Sequence, residues 1–126
     1  MDFELTNRQK QICLAAREFA EGMFPEVAEE CDLNETFPKA LWRKACELGF
    51  IGVFINKEYG GLGLGILENA LITEEFSRVD PGCGHIILTT LGSEFILFYG
   101  KEEISTPPYQ RRGHHGDGDY RTRCWK

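Results

Sequence analysis

The chain has no uninterrupted apolar run of membrane-spanning length. Its most apolar region, Ile86 to Phe98, is broken by Thr89, Thr90, Gly92, Ser93 and Glu94, so no membrane span is expected. Its first residues, Met-Asp-Phe-Glu-Leu, lack the Arg or Lys and the apolar stretch of a leader, which predicts a cytoplasmic protein. Five cysteines occur without a CxxC pair. Neither a zinc knuckle nor a disulfide framework is suggested, and free thiols are expected. A Lys/Arg stripe with interleaved aromatics is missing as well. Residues 1–103 carry nine basic against eighteen acidic side chains, a balance that repels nucleic acid.

What is present suits a soluble globular domain. The 126 residues are 42% hydrophobic and 27% charged, enough for one packed core and too few for several lobes. Residues 104–126 reverse the charge balance, with five basic against two acidic side chains. The composition breaks near Ile104.

Helical signals fill the acidic part. Thr6 and Gln9 have capping-box spacing, which predicts a helix start. Ile12, Ala16, Phe19, Ala20 and Met23 follow on one stripe, with Pro25 expected to kink or end the helix before an acidic continuation over 26–30. Pro38 suits a first turn, and Leu41, Trp42, Ala45 and Leu48 form an apolar face ending at Gly49. The run Phe50 to Ile55 is ambiguous, and the glycine-dense loop Gly60 to Gly65 follows it. Helical spacing resumes from Ile66 to Val79 through Leu67, Leu71, Phe76 and Val79, with Glu74 placed to pair with Arg78. Pro81-Gly82 breaks that helix. His85 to Tyr99, apolar on nearly all sides, predicts a helix buried between others, capped by Gly100. The expected fold class is all-α, a bundle of four to five helices over residues 1–103, followed by an irregular tail over 104–126 where periodicity is lost.

Three features bear on chemistry. An apolar run, a Gly-rich loop and a helix imitate a phosphate cradle, but G-x-G-x-x-G would need glycine where Ile66 or Glu68 stands, and no second strand completes the unit. Nucleotide binding by the Gly60 to Gly65 loop therefore stays a secondary alternative. Glu74 and Glu75 are adjacent carboxylates, yet neighbours on a helix point about 100 degrees apart, which favours a solvated face over an acid/base pair. The cluster His114-His115-Gly116-Asp117-Gly118-Asp119 lacks the further oxygen ligands of a calcium loop, and no metal site is expected.

Several linked segments resemble one family. Glu-Leu-Gly-Phe-Ile-Gly at 47–52, Glu-Tyr-Gly-Gly-Leu-Gly-Leu at 58–64 and Glu-Glu-Phe-Ser-Arg-Val-Asp at 74–80 are similar, in order and spacing, to the N-terminal domain of FAD-dependent acyl-CoA dehydrogenases. Phe37-Pro38, Leu41-Trp42, Leu91-Gly92-Ser93-Glu94 and Tyr99 to Glu103 extend the resemblance over roughly residues 1–103. It implies a fatty-acid-type oxidoreductase that removes an α proton and a β hydride from an acyl-CoA thioester, with FAD as cofactor and an electron-transferring flavoprotein as partner. It also implies that base and flavin belong to later domains. The chain alone is then expected to be inactive and to bind no FAD, with apolar surface left open to self-association, Trp42 and Phe54 included. By the same match Cys83, Ile87 and Leu91 approach the acyl chain as one pocket wall, or are simply core. A small helical interaction module is the other alternative.

The tail fits the family in another frame. Codons allowed for Ile104 to Lys126, regrouped one nucleotide along, can spell Y-L-P-P-L-I-N-G-E-A-I-M-A-M-A-I-T-E-P-D-A-G, and the family continues with Tyr-Leu-Pro-Pro and then Ile-Thr-Glu-Pro-x-Ala-Gly. A frameshift near Glu103 is expected, with 104–126 a displaced reading of the start of the β-domain.

Overall fold

The structure is a computed structural model that describes residues 4–59, 61–88 and 98–100. The expected irregular tail, the His-Asp cluster and Leu91 lie outside the described residues. Among the described residues there are four α-helices and one 3-10 turn, in the order α1 (Asn7–Asn34), α2 (Lys39–Leu48), the turn Lys57–Tyr59, α3 (Ile66–Val79) and α4 (Pro81–Ile87). No strand occurs among them, in agreement with the all-α expectation.

Local chemistry sets the helix ends. The Gln9 N–H donates to Thr6 Oγ1 at 3.2 Å, and the Thr6 N–H donates to Gln9 Oε1 at 2.9 Å, closing the expected capping box. Gly49 ends α2 at φ 81°, the left-handed cap that glycine adopts without a Cβ penalty. At α3 the cap is reversed: the Gly65 N–H donates to Glu68 Oε2 at 2.9 Å. Gln9 also donates from Nε2 to Glu68 Oε1 at 2.9 Å, so one carboxylate ties the starts of α1 and α3 together. Asp80 ends α3 and caps α4, accepting from the Cys83 N–H at 2.7 Å, with Pro81 in the first helical turn. α4 thus begins at Pro81, ahead of the expected start at His85, because an Asp-Pro pair that stops one helix is equally suited to start the next; residues 89–97 of the expected His85 to Tyr99 helix lie outside the described residues.

Pro25 lies inside α1, which runs on through the expected acidic continuation over 26–30 as far as Asn34. Phe24 is fully buried just before it, and Val27 and Ala28 pack on the core just after it, so tertiary packing outweighs the one hydrogen bond that proline removes. Residues 51–54 form turns, and Phe50, Ile51, Val53, Phe54 and Ile55 are all buried. Phe54 is therefore covered by the domain itself. Trp42 is half-buried and sits 5.9 Å from the Phe37 ring.

The core lies mainly between α1 and α3. Ala16, Phe19, Ala20 and Phe24 point inward from α1, and Ile72, Glu75 and Phe76 from α3. Phe19, Phe24, Phe50 and Phe76 make a cluster with ring centroids 5.0–5.9 Å apart. Leu67, expected on the inner face of α3, is 54% exposed. The helix is rotated so that Ile72 and Phe76 meet the phenylalanines of α1. Cys13, Cys31 and Cys83 are free thiols, whereas Cys46 is disulfide-bonded. That corrects the expectation of a free thiol at Cys46, since the fold, not sequence spacing, decides which cysteines meet.

Candidate functional site

A cleft of about 460 Å³ opens where the end of α1 meets the start of α4. Ala28, Cys31 and Asp32 line it from α1, Thr36 from the connection, and Cys83 and Ile86 from α4. Burial pushes the Cys83 thiol up to about 12, and the Asp80 carboxylate beside it acts in the same direction. Cys83 thus edges the cleft as a neutral thiol. Ile87 is fully buried within the core cluster. Of the residues named from sequence, Cys83 reaches this cleft and Ile87 does not. Ile86 and Thr36 line it and were not singled out. The i, i+3 step from Cys83 to Ile86 was the available signal.

A second, more apolar cleft of about 470 Å³ runs between α1 and residues 48–64. Ile12 and Phe19 form one side, Leu48, Phe50 and Leu62 the other, and Ile72 also lines it. Leu48 and Leu62 are 51% and 39% exposed there.

The glycine-dense loop is occupied with its own backbone. The N–H groups of Gly61, Leu62, Gly63 and Leu64 donate to the carbonyls of Asn56, Gly52, Ile55 and Val53 at 3.2, 3.4, 2.8 and 2.9 Å. With Gly65 engaged by Glu68, every N–H from 61 to 65 has a partner, and a carboxylate already stands at the start of α3 where a phosphate would sit. The glycine at 61 answers a packing need, because an added Cβ would land on the Ile55 carbonyl. Gly61→Ala is accordingly expected to cost about 1–3 kcal/mol of stability, read as a lowered urea midpoint. An unchanged midpoint would refute this close approach.

Glu75 is only 8% exposed, contrary to the expected solvated face. It accepts from Arg17 Nε at 2.9 Å, Arg17 Nη2 at 2.6 Å and Arg78 Nε at 3.3 Å. Arg78 also donates from Nη2 to Glu21 at 2.5 Å, so the partners of Arg78 are Glu75 and Glu21 rather than the expected Glu74. Hydrogen bonding from Arg17 holds the Glu75 carboxyl below its ordinary value against the opposing effect of burial, with Arg78 adding to the lowering. A carboxylate so held is a poor proton acceptor near neutral pH. Glu68 is lowered too, first by the hydrogen bond from Gln9. Among the described residues no group of three or more His, Cys, Asp or Glu is placed to hold a metal ion. No helix among them is long and apolar enough to cross a membrane.

Comparison with known proteins agrees with this helical frame. The family model described as acyl-CoA dehydrogenase, N-terminal domain, matches residues 6–106. The chain is 36% identical over 104 residues to acryloyl-CoA reductase (NADH) of Anaerotignum propionicum, covering 82% of this chain and 26% of that protein. It is 37% identical over 105 residues to a short-chain-specific acyl-CoA dehydrogenase of Clostridium acetobutylicum, covering 82% and 28%. A chain from a solved structure of the electron transferring flavoprotein of Acidaminococcus fermentans superposes with a TM-score of 0.76 at 37% identity, covering 84% of this chain and 28% of that one. This chain thus spans about a quarter of the length of the curated relatives it matches. With a family model that takes in most of its residues, the chain belongs to the acyl-CoA dehydrogenase family through that family's N-terminal helical domain.

Proposed function

We propose that residues 1–103 serve an FAD-dependent acyl-CoA dehydrogenase as its N-terminal domain, supplying a packing surface and, through Cys83 and Leu91, one wall of the acyl pocket, with Ile87 standing behind that wall in the core. The match over residues 6–106 carries this reading. When bound to an intact enzyme of the family, FAD accepts the hydride from the β carbon of the acyl-CoA. An electron-transferring flavoprotein is the partner that would take the electrons onward, and the cytoplasm is the expected compartment. The described residues here do not fit the flavin itself: the loop donors are engaged, and Glu29, Asp32 and Asp80 around the cleft repel a pyrophosphate. Glu75, fixed between two guanidinium groups, does not fit the role of α-proton base.

The 126-residue chain is therefore expected to purify without a flavin absorbance band and to reduce no dye when given acyl-CoA. Recovery of bound FAD together with acyl-CoA-dependent dye reduction would overturn this. For residues 104–126 the proposal is a one-nucleotide shift of frame after Glu103. Its support is the reversal of charge near Ile104 and the family motif recoverable from the regrouped codons. Sequencing the encoding DNA decides it, since codons that do not regroup into that motif exclude the shift. The apolar cleft beside Leu48 and Leu62 favours a second reading, a helical interaction module or self-association through this face.

A further inference from the structure

Two free thiols share the cleft between the end of α1 and the start of α4. Cys31 is half-buried near the last turn of α1, and Cys83 is 4% exposed in the first turn of α4. They lie near enough for a charge on Cys31 to disfavour ionisation of Cys83. Other thiols are set apart from this place: Cys46 is already bonded, and Cys13 is about 27 Å from Cys31 along α1 at 1.5 Å per residue. Asp80 accepts the Cys83 backbone N–H at 2.7 Å, which holds a carboxylate beside the thiol and keeps it protonated.

We propose that Cys31 and Cys83 are a redox pair that closes into a disulfide across this cleft, with a low-molecular-weight disulfide such as oxidised glutathione as the oxidant. The more accessible Cys31, as thiolate, attacks one sulfur of the oxidant. A mixed disulfide forms, and one glutathione leaves as thiolate. Cys83 then loses its proton to solvent hydroxide and attacks Cys31 Sγ, expelling the second glutathione as its thiolate. In total two protein thiols lose two electrons and two protons, and one small disulfide becomes two thiols. Closure staples the end of α1 to the start of α4. The high pKa of Cys83 makes the second step the slow one, and its rate rises about tenfold per pH unit below that pKa, as the thiolate fraction does.

The full chain is incubated with oxidised glutathione at about pH 7 and about pH 8, quenched with acid, alkylated and mapped by peptide mass spectrometry. The expected sequence is a glutathione adduct on Cys31, replaced by a Cys31–Cys83 linked peptide about tenfold faster at the higher pH. A persistent Cys31 adduct with Cys83 still open to alkylation would overturn the proposal, as would a link from Cys31 to Cys13. In Cys31→Ser, with helix content verified by circular dichroism, Cys83 is expected to stay unmodified. Glutathione appearing on Cys83 of this variant as fast as it appears on Cys31 of the wild type would remove Cys31 from the mechanism. Should that variant fail to fold, the wild-type peptide map decides alone.

Discussion

Phe76→Ala is expected to bring the domain to the edge of unfolding, with a loss of about 3–5 kcal/mol. Phe76 is fully buried, and its ring centroid lies 5.7 Å from Phe19, 5.2 Å from Phe24 and 5.2 Å from Phe50. It is therefore the residue through which α3 meets both α1 and the turn after α2. The site has little freedom to collapse, because α4 presses on it from the other side: a Cβ built at Gly84 would stand 3.0 Å from the Phe76 Cβ. Domains of this size hold about 5–15 kcal/mol in total, so one cavity here removes a large share. The measurement is urea unfolding followed by helical circular dichroism. Leu33→Ala, at a position 75% exposed, serves as comparison and should move the midpoint by less than about 0.5 kcal/mol. If Phe76→Ala unfolds no earlier than Leu33→Ala, the four-ring cluster does not hold these helices together.

The same core shows where sequence reasoning reached and where it stopped. Helix ends were legible wherever one residue type answers one backbone need: Thr6 with Gln9 at the start of α1, and Gly49 at the positive-φ end of α2. The inward face of α1 was legible too, because Ala16, Phe19 and Ala20 follow an unbroken period. On α3 the apolar residues are spread more evenly, and Leu67 and Ile72 suit a stripe equally well. Only the position of the α1 phenylalanines turns Ile72 inward and leaves Leu67 in water. The inward turn of Glu75 depends on Arg17, 58 positions away, a pairing no local period reports. Continuation of α1 past Pro25 rests in the same way on packing at Phe24 and Val27. For Cys83, Ile87 and Leu91 the family resemblance left two roles, pocket wall or core; Cys83 borders the cleft beside α4, which Ile86 also lines, and Ile87 packs in the core.

Glu75→Gln carries the second large effect, a loss of about 2 kcal/mol near neutral pH. The amide keeps the shape of the side chain but gives up its charge and one of its two acceptor oxygens, leaving Arg17 and Arg78 competing for the other. The figure is modest for a buried ion pair because both guanidinium groups are about half-exposed, with relative side-chain areas of 49% and 48%, and water can solvate them again. The pH dependence separates this from a packing defect. Hydrogen bonding from Arg17 lowers the folded-state pKa of Glu75, so its contribution is complete above the unfolded carboxylate value of about 4.3 and is lost as pH falls through the folded value. Glu68, lowered chiefly by Gln9, adds to the same acid limb. The wild-type urea midpoint should hold from neutral pH down to about pH 5 and fall below about pH 4. Glu75→Gln should start lower and fall less, so that the two curves converge at acid pH. Glu74→Gln, which changes an exposed neighbour, should track the wild type throughout. Parallel curves for Glu75→Gln and wild type would show that the Arg17–Glu75–Arg78 bridge adds no charge-dependent stability, and the loss would then belong to packing alone.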